Sequence, residues 1–266
     1  MELIIIGAGP AYTDRRGAAA ASFLVRWGDA ALLLDLGQGA FPNLASTMDP
    51  SELTAVAVTH LHPDHFVDLV PLRHYLRFEF DPPRRVRVVG PAGLADRLDA
   101  LHAHAGFAAA SLDIETIGGE QRLGPFVVEA RRVHHTEESY GLRVSLAEAP
   151  GGAGDNGTHG THGTHGTPGG AGLVYSGDCA DSDDLVPLIR PGDTLLCEAT
   201  FGAGPVPPGA EHLDAGAAGR AARDGHAARL LLTHILMGRS RSDALAAARE
   251  AFDATVLVTE GDRFEV

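Results

Sequence analysis

Six consecutive residues, His60-Leu61-His62-Pro63-Asp64-His65, constrain this chain more than any other stretch. They follow an apolar run, residues 54–59, that reads as a buried strand. Three imidazoles and a carboxylate then fall in what reads as a polar loop. In an extended or tightly turned backbone, side chains at i and i+2 converge on one ion. Asp64 and His65 can then face a second ion about 3.5–4 Å away. Imidazole and carboxylate together suit zinc, and also manganese or iron.

A dinuclear site needs further ligands, and polar residues stand where later apolar runs stop. His134-His135 follows the run 126–133, Asp178 follows 173–176, and His234 ends Leu230-Leu231-Leu232-Thr233. Strand ends are where α/β folds place chemistry. Further strands are expected at 3–7, 22–26, 31–36, 86–90, 111–117, 141–146, 194–197 and 255–259, the last of the chain. Helices are expected at 66–78, 91–104, 183–189, 214–223 and 242–252. Strands mixed with helices throughout, with no linker between them, predict one layered α/β domain over 1–266. Residues 149–172 interrupt it with a Gly/Thr/His-rich stretch containing Thr-His-Gly three times, which reads as a surface loop. Its His159, His162 and His165 read as part of a flexible insertion rather than a metal site. Gly7-Ala8-Gly9-Pro10 reads as a turn, because a dinucleotide fingerprint needs a third glycine and a helix start.

Composition narrows the function. With 266 residues and 44% hydrophobic content, the chain can bury a sizeable core. The formal net charge of −14 argues against broad phosphate neutralisation on nucleic acid. No apolar run approaches the length that crosses a bilayer, and no leader pattern opens the chain, so a cytoplasmic protein is expected. Cys179 and Cys197 read as free thiols rather than a disulfide framework. Cys197 reads as a buried small hydrophobe and is assigned no nucleophilic role, whereas Cys179, one residue after Asp178, reads either as incidental to the site or as an oxidation-sensitive thiol.

The ordered set resembles the metallo-β-lactamase-fold hydrolases, in particular their ribonuclease Z-like phosphodiesterase branch. The resemblance runs from Leu3 past His234. It rests on Asp35, His60-x-His62-x-Asp64-His65, His135-Thr-Glu-Glu-Ser139-Tyr140-Gly141, Ser176-Gly177-Asp178, Cys197-Glu198-Ala199-Thr200, His212 and Thr233-His234. It implies a four-layer αββα sandwich and two divalent ions, zinc first. It further implies that His60, His62 and His135 hold one ion, that Asp64, His65 and His234 hold the other, and that Asp178 bridges them. His135 is preferred over His134 because the branch's ligand stands four residues before the Ser-aromatic-Gly turn. His134 is then expected to pack or to support the site. Asp35 is expected to fix the histidine loop by hydrogen bonds.

By the same resemblance the ions supply a hydroxide, Asp64 also accepts its proton, and His212 donates one to the leaving group, oriented by Glu198. Three departures stand against tRNA processing. Cys197 replaces the histidine that opens the family's His-Glu-Ala-Thr element, and Leu213-Asp214 replaces Ser-Thr. Asp178 comes only 43 positions after His135, without a Lys or Arg between Pro150 and Gly177. Similarity to bacterial cyclic nucleotide phosphodiesterases, carried by residues 135–143, 196–199 and 230–234, favours a small phosphodiester substrate, a 3′,5′-cyclic nucleotide first. The resemblance also implies a homodimer, and the lack of a long apolar run implies no membrane partner. A ribonuclease Z-type tRNA 3′ endonuclease, a lactone, thioester or sulfate ester hydrolase, and a non-catalytic metal-binding protein remain the alternatives.

Overall fold

The apolar runs are continuous because the strands that carry them are covered on both faces. In β1 (Glu2–Gly7), Leu3 and Ile5 point into one buried cluster while Ile4 and Ile6 point into another. This is the alternation of a strand between two apolar layers. β2 (Ser22–Trp27) and β3 (Ala30–Leu34) repeat it, with Phe23, Val25, Leu32 and Leu34 on one side and Leu24 and Leu33 on the other.

A computed structural model describes residues 1–136, 138–147 and 170–266. The chain continues through α1 (Ala40–Thr47), β4 (Ala55–Ala57), α2 (Pro63–Phe66), α3 (Leu69–Phe78), β5 (Val86–Gly90), α4 (Leu94–His102) and β6 (Leu112–Thr116). Then come β7 (Gly119–Leu123), β8 (Phe126–Val133), β9 (Ser139–Leu146), β10 (Leu173–Tyr175), β11 (Thr194–Glu198), α5 (Ala215–Asp224), β12 (Arg229–Thr233), α6 (Arg241–Ala251), β13 (Thr255–Leu257) and β14 (Arg263–Glu265). The strands form two sheets, ordered β14-β1-β2-β3-β4-β5-β6 and β13-β12-β11-β10-β9-β8-β7. Each is antiparallel at first and parallel later, from β3 to β6 and from β10 to β13.

The inner faces of both sheets share one core, joining Leu3, Phe23 and Leu34 to Phe126, Leu142, Leu196 and Leu231. Leu44 of α1, Leu69, Leu72 and Leu76 of α3, and Leu94 and Leu98 of α4 cover the outer face of the first sheet. Alanines of α5 and α6 cover the outer face of the second. Those two helices pack closely: a Cβ on Gly219 would lie 2.7 Å from the Ala248 carbonyl oxygen. The expected αββα order of layers is therefore present.

Several local expectations need correction. Residues 60–65 are not all loop. Pro63 opens a helical turn that carries Asp64 and His65, since proline at the first helical position loses no hydrogen bond. The strand expected over 54–59 stops at Ala57, and the Thr59 N–H turns to the Asp35 carboxylate. The helix expected over 66–78 is broken between Phe66 and Leu69. The helix expected over 183–189 is only a 3-10 turn at Ser182–Asp184, because Pro187 cannot donate inside a helix. The strand at 255 ends at Leu257 and is not the last. The loop expected over 149–172, with His159, His162 and His165, lies outside the described residues apart from 170–172.

Candidate metal centre

The expected site residues stand at or just beyond the carboxyl end of a strand or on the turn that follows, except His212, which lies in the loop between β11 and α5. Asp35 follows β3, His60 follows β4, and Asp64 and His65 lie on α2. His135 follows β8, Asp178 follows β10, Glu198 ends β11, and His234 follows β12. Parallel strands in the two sheets deliver these ends to one edge of the sandwich, a placement common to open α/β sheets. Ligand atoms of His60, His62, His135 and Asp178 lie within 4.8 Å of one another, and so do those of Asp64, His65, Asp178 and His234. Asp178 is the member common to both groups, and both are suited to binding a metal ion.

The hydrogen bonds around the rings decide which nitrogen faces inward. His65 Nδ1 donates to Asp35 Oδ2 at 2.7 Å and His135 Nδ1 donates to the Glu211 carbonyl oxygen at 2.8 Å. Neither acceptor has a proton to give, so Nδ1 carries it and Nε2 of a neutral ring keeps a lone pair. Nδ1 of His60 meets Thr59 Oγ1 at 3.1 Å and Nδ1 of His234 meets Thr200 Oγ1 at 3.0 Å. His62 is reversed: its Nε2 meets Thr136 Oγ1 at 3.1 Å, and its Nδ1 lies 3.2 Å from His135 Nε2.

The inward atoms fit a cation. His65 Nε2 is 3.3 Å and His60 Nε2 3.7 Å from Asp178 Oδ2, and His234 Nε2 is 3.6 Å from Asp178 Oδ1. His60 Nε2, His65 Nε2 and Asp178 Oδ1 are buried without any hydrogen-bond partner. Buried polar atoms left unpaired are costly, and a divalent ion between them removes that cost. Burial and the neighbouring His65 hold His60 well below the usual imidazole range. Burial also lowers His135, against the pull of Asp178. Both rings are thereby neutral donors. His65 and His234 are raised because the carboxylates around them outweigh burial. Burial alone would raise Asp64, yet His234 and His65 bring it down to about 2.

Asp35 is fully buried and accepts from the Thr59 N–H at 2.7 Å, Thr59 Oγ1 at 2.8 Å, Tyr175 OH at 2.8 Å and His65 Nδ1. It ties strands of both sheets to the histidine turn, as expected of it. Glu198 lies beside His212: its Oε1 accepts from His212 Nδ1 at 3.0 Å. Burial lowers the His212 pKa, but Glu198 and Asp178 raise it to about 9. His134 is a correction. Its side chain is 78% exposed and turns away to Asp184, whose Oδ2 accepts from His134 Nδ1 at 2.8 Å. It follows a strand whose successive residues face opposite ways, so only His135 enters the cluster. Sequence reasoning missed Thr200, Thr136 and the Glu211 carbonyl as ring partners and Tyr175 as a partner of Asp35. A hydroxyl or carbonyl carries no ligand signature in sequence, even though Thr136 and Thr200 both lie in motifs that carry the resemblance.

Residues 32–235 match the β-lactamase superfamily domain. An uncharacterised protein of Mycobacterium leprae is 34% identical over 93% of this chain and 82% of its own length. A ribonuclease Z of Salinispora arenicola is 30% identical over 97% of this chain and 94% of its own. In structure, the metallo-β-lactamase-fold protein YhfI of Bacillus subtilis superposes with a TM-score of 0.80 at 22% identity, covering 99% of both chains. With two sheets back to back, helices outside and paired His/Asp clusters at one edge, the chain belongs to the β-lactamase superfamily and has the metallo-β-lactamase fold.

Proposed function

We propose that this chain is a metal-dependent phosphodiesterase acting on a small phosphodiester, with a 3′,5′-cyclic nucleotide as the first candidate. His60, His62 and His135 would hold one divalent ion, Asp64, His65 and His234 a second, and Asp178 both. Zinc suits the donor set best, with manganese and iron as alternatives. Such a pair, when bound, lowers the pKa of a coordinated water and neutralises charge on phosphoryl oxygens.

The chain's own residues do the rest. Asp64, 3.3 Å from His234 Nε2, would take a proton from the attacking water. His212 would give one to the leaving alkoxide. The observation that carries the reading is this ring: Glu198 Oε1 holds its Nδ1–H, Asp178 Oδ2 lies 3.8 Å from the same nitrogen, and its side chain is 24% exposed. Nε2 is then the atom free to meet substrate. A phosphodiester with an alkoxide leaving group needs such a donor. A thioester, whose thiolate departs unprotonated, has less need of one.

A tRNA 3′ endonuclease is the second reading, favoured by the ribonuclease Z relative at 30% identity. The net charge of −14 and the absence of Lys and Arg between Pro150 and Gly177 weigh against it. The same reading takes residues 1–266 as one cytoplasmic hydrolase domain that forms a homodimer, which sedimentation would test.

The deciding experiment assays cyclic AMP, bis-p-nitrophenyl phosphate and a precursor tRNA, with metal content measured for wild type, His62→Ala and His212→Ala. Diester cleavage without tRNA cleavage, lost in His62→Ala together with metal, supports the proposal. Cutting of tRNA alone at its 3′ end transfers it to the second reading. A fully metallated wild type that cleaves none of the three overturns both, and lactones, thioesters and sulfate esters come next.

A further inference from the structure

One hydroxyl connects the proposed second ion site to the proposed proton donor. Thr200 is 4% exposed, and its Oγ1 lies 2.5 Å from Glu198 Oε2, 3.0 Å from His234 Nδ1 and 3.3 Å from His212 Nδ1. A hydroxyl has one proton and two lone pairs. A carboxylate only accepts, so at the shortest contact Thr200 donates to Glu198. Its lone pairs are then left to accept, and the His234 Nδ1–H is the nearer donor. That fixes the proton of His234 on Nδ1 and turns the Nε2 lone pair toward Asp64 and Asp178.

Glu198 in turn is held rigidly. It is 1% exposed; Oε1 accepts from the Cys179 N–H at 2.8 Å and Oε2 from the Thr200 N–H at 3.2 Å. The Cys179 N–H belongs to the residue after Asp178. The two oxygens of one carboxylate therefore orient two different rings, His212 directly and His234 through Thr200.

We propose that Thr200 is a positioning residue through which Glu198 sets the ring state of His234, coupling metal affinity at the Asp64/His65/His234 site to the carboxylate that holds His212. The proposal rests on the metal assignment above but not on the identity of the substrate. It differs from simple packing in one respect. Glu198 touches no inward ligand atom of that site, yet its replacement must weaken the ion there, and only while the Thr200 hydroxyl is present.

The test is zinc affinity by chelator competition on Thr200→Val, Thr200→Ala, Thr200→Ser, Glu198→Gln and Thr200→Val/Glu198→Gln, with folding checked by circular dichroism. Thr200→Ala serves if the valine variant does not fold. Losing the outer partner of a ligating histidine typically costs about 10–100-fold in affinity. The expected result is that loss for one of two zinc ions in Thr200→Val and Thr200→Ala, wild-type binding in Thr200→Ser, and a smaller loss in Glu198→Gln that adds nothing in the double variant. Nitrogen NMR of zinc-loaded wild type should show His234 protonated at Nδ1, with the signal lost or exchange-broadened in Thr200→Val. Wild-type affinity for both ions in folded Thr200→Val and Thr200→Ala overturns the proposal and leaves the phosphodiesterase reading intact. Additive losses in the double variant overturn the coupling through Thr200. A wild type that binds no zinc overturns both readings together.

Discussion

At the scale of single residues, the site is built from side chains whose outer atoms are as constrained as their inner ones. Asp35 is the clearest case, with four donors on one buried carboxylate. Asp35→Ala leaves those donors unpaired and frees the His65 ring. We expect metal affinity to fall by about 10–100-fold, read by chelator competition, together with a lower melting temperature. His212 makes a different prediction. General acid catalysis contributes about 10²–10⁴-fold when the leaving group needs a proton. His212→Asn should lose that much on an alkyl diester, much less on bis-p-nitrophenyl phosphate, whose leaving group departs without one, and keep its metal. Equal losses on both substrates would remove the proton-donor role. The two thiols belong here too. Burial pushes Cys179 and Cys197 up, and neither is solvent-accessible. Both should resist iodoacetamide at pH 8 in the native protein and react in urea, as mass spectrometry will read.

At the scale of elements, the turn carrying Asp64 and His65 depends on backbone contacts with the segment after β3. The Leu36 N–H donates to the His65 carbonyl at 2.7 Å. Next to it, a Cβ on Gly37 would lie 1.9 Å from the Asp64 carbonyl oxygen. Overpacking of this kind costs typically about 1–3 kcal/mol. Gly37→Ala must push α2 away, so we expect lower stability in urea and weaker metal binding in the same variant. Far from the site, Arg143 on β9 reaches Asp193 ahead of β11, with Nε at 2.7 Å and Nη2 at 2.9 Å; they are 2% and 0% exposed. Asp193 also accepts from the Gly172 and Arg190 N–H groups. Removing one partner of such a buried pair costs about 3–5 kcal/mol. Arg143→Ala should lose that in urea unfolding, with metal affinity unchanged for the fraction that remains folded. Elements also show where local patterns mislead. β7 is a polar edge strand, Gly-Glu-Gln-Arg-Leu, and β14 is Arg-Phe-Glu. Neither has the apolar alternation that announces a strand. Each exists because a neighbour, β8 or β1, offers its backbone.

At the scale of the whole molecule, seven ligand candidates from both sheets meet at one edge, so an ion there binds the folded chain and not the unfolded one. A ligand at a hundredfold excess over its Kd adds about 2.7 kcal/mol to stability. At about 2–4 °C per kcal/mol for a chain of this size, chelation should lower the melting temperature by roughly 5–10 °C. Zinc should restore it, as a melt with and without chelator will read. Among the described residues no helix is long and apolar enough to cross a membrane. The candidate site was legible in part, because three histidines and an aspartate fall within residues 60–65 after an apolar run and His135, Asp178 and His234 stand where later apolar runs stop. The grouping of these ligands rested on the family resemblance. The layering was legible too, since runs such as Leu3-Ile4-Ile5-Ile6 are tolerated only where both faces are covered. What the sequence could not determine was decided by contacts between residues far apart in the chain. Which nitrogen each ring presents, and that Thr200 stands between Glu198 and His234, follow from hydrogen bonds closed only when distant segments of the chain pack. A side chain's type states what it can bind, whereas its direction and proton are set by partners that only the tertiary structure brings within 3 Å.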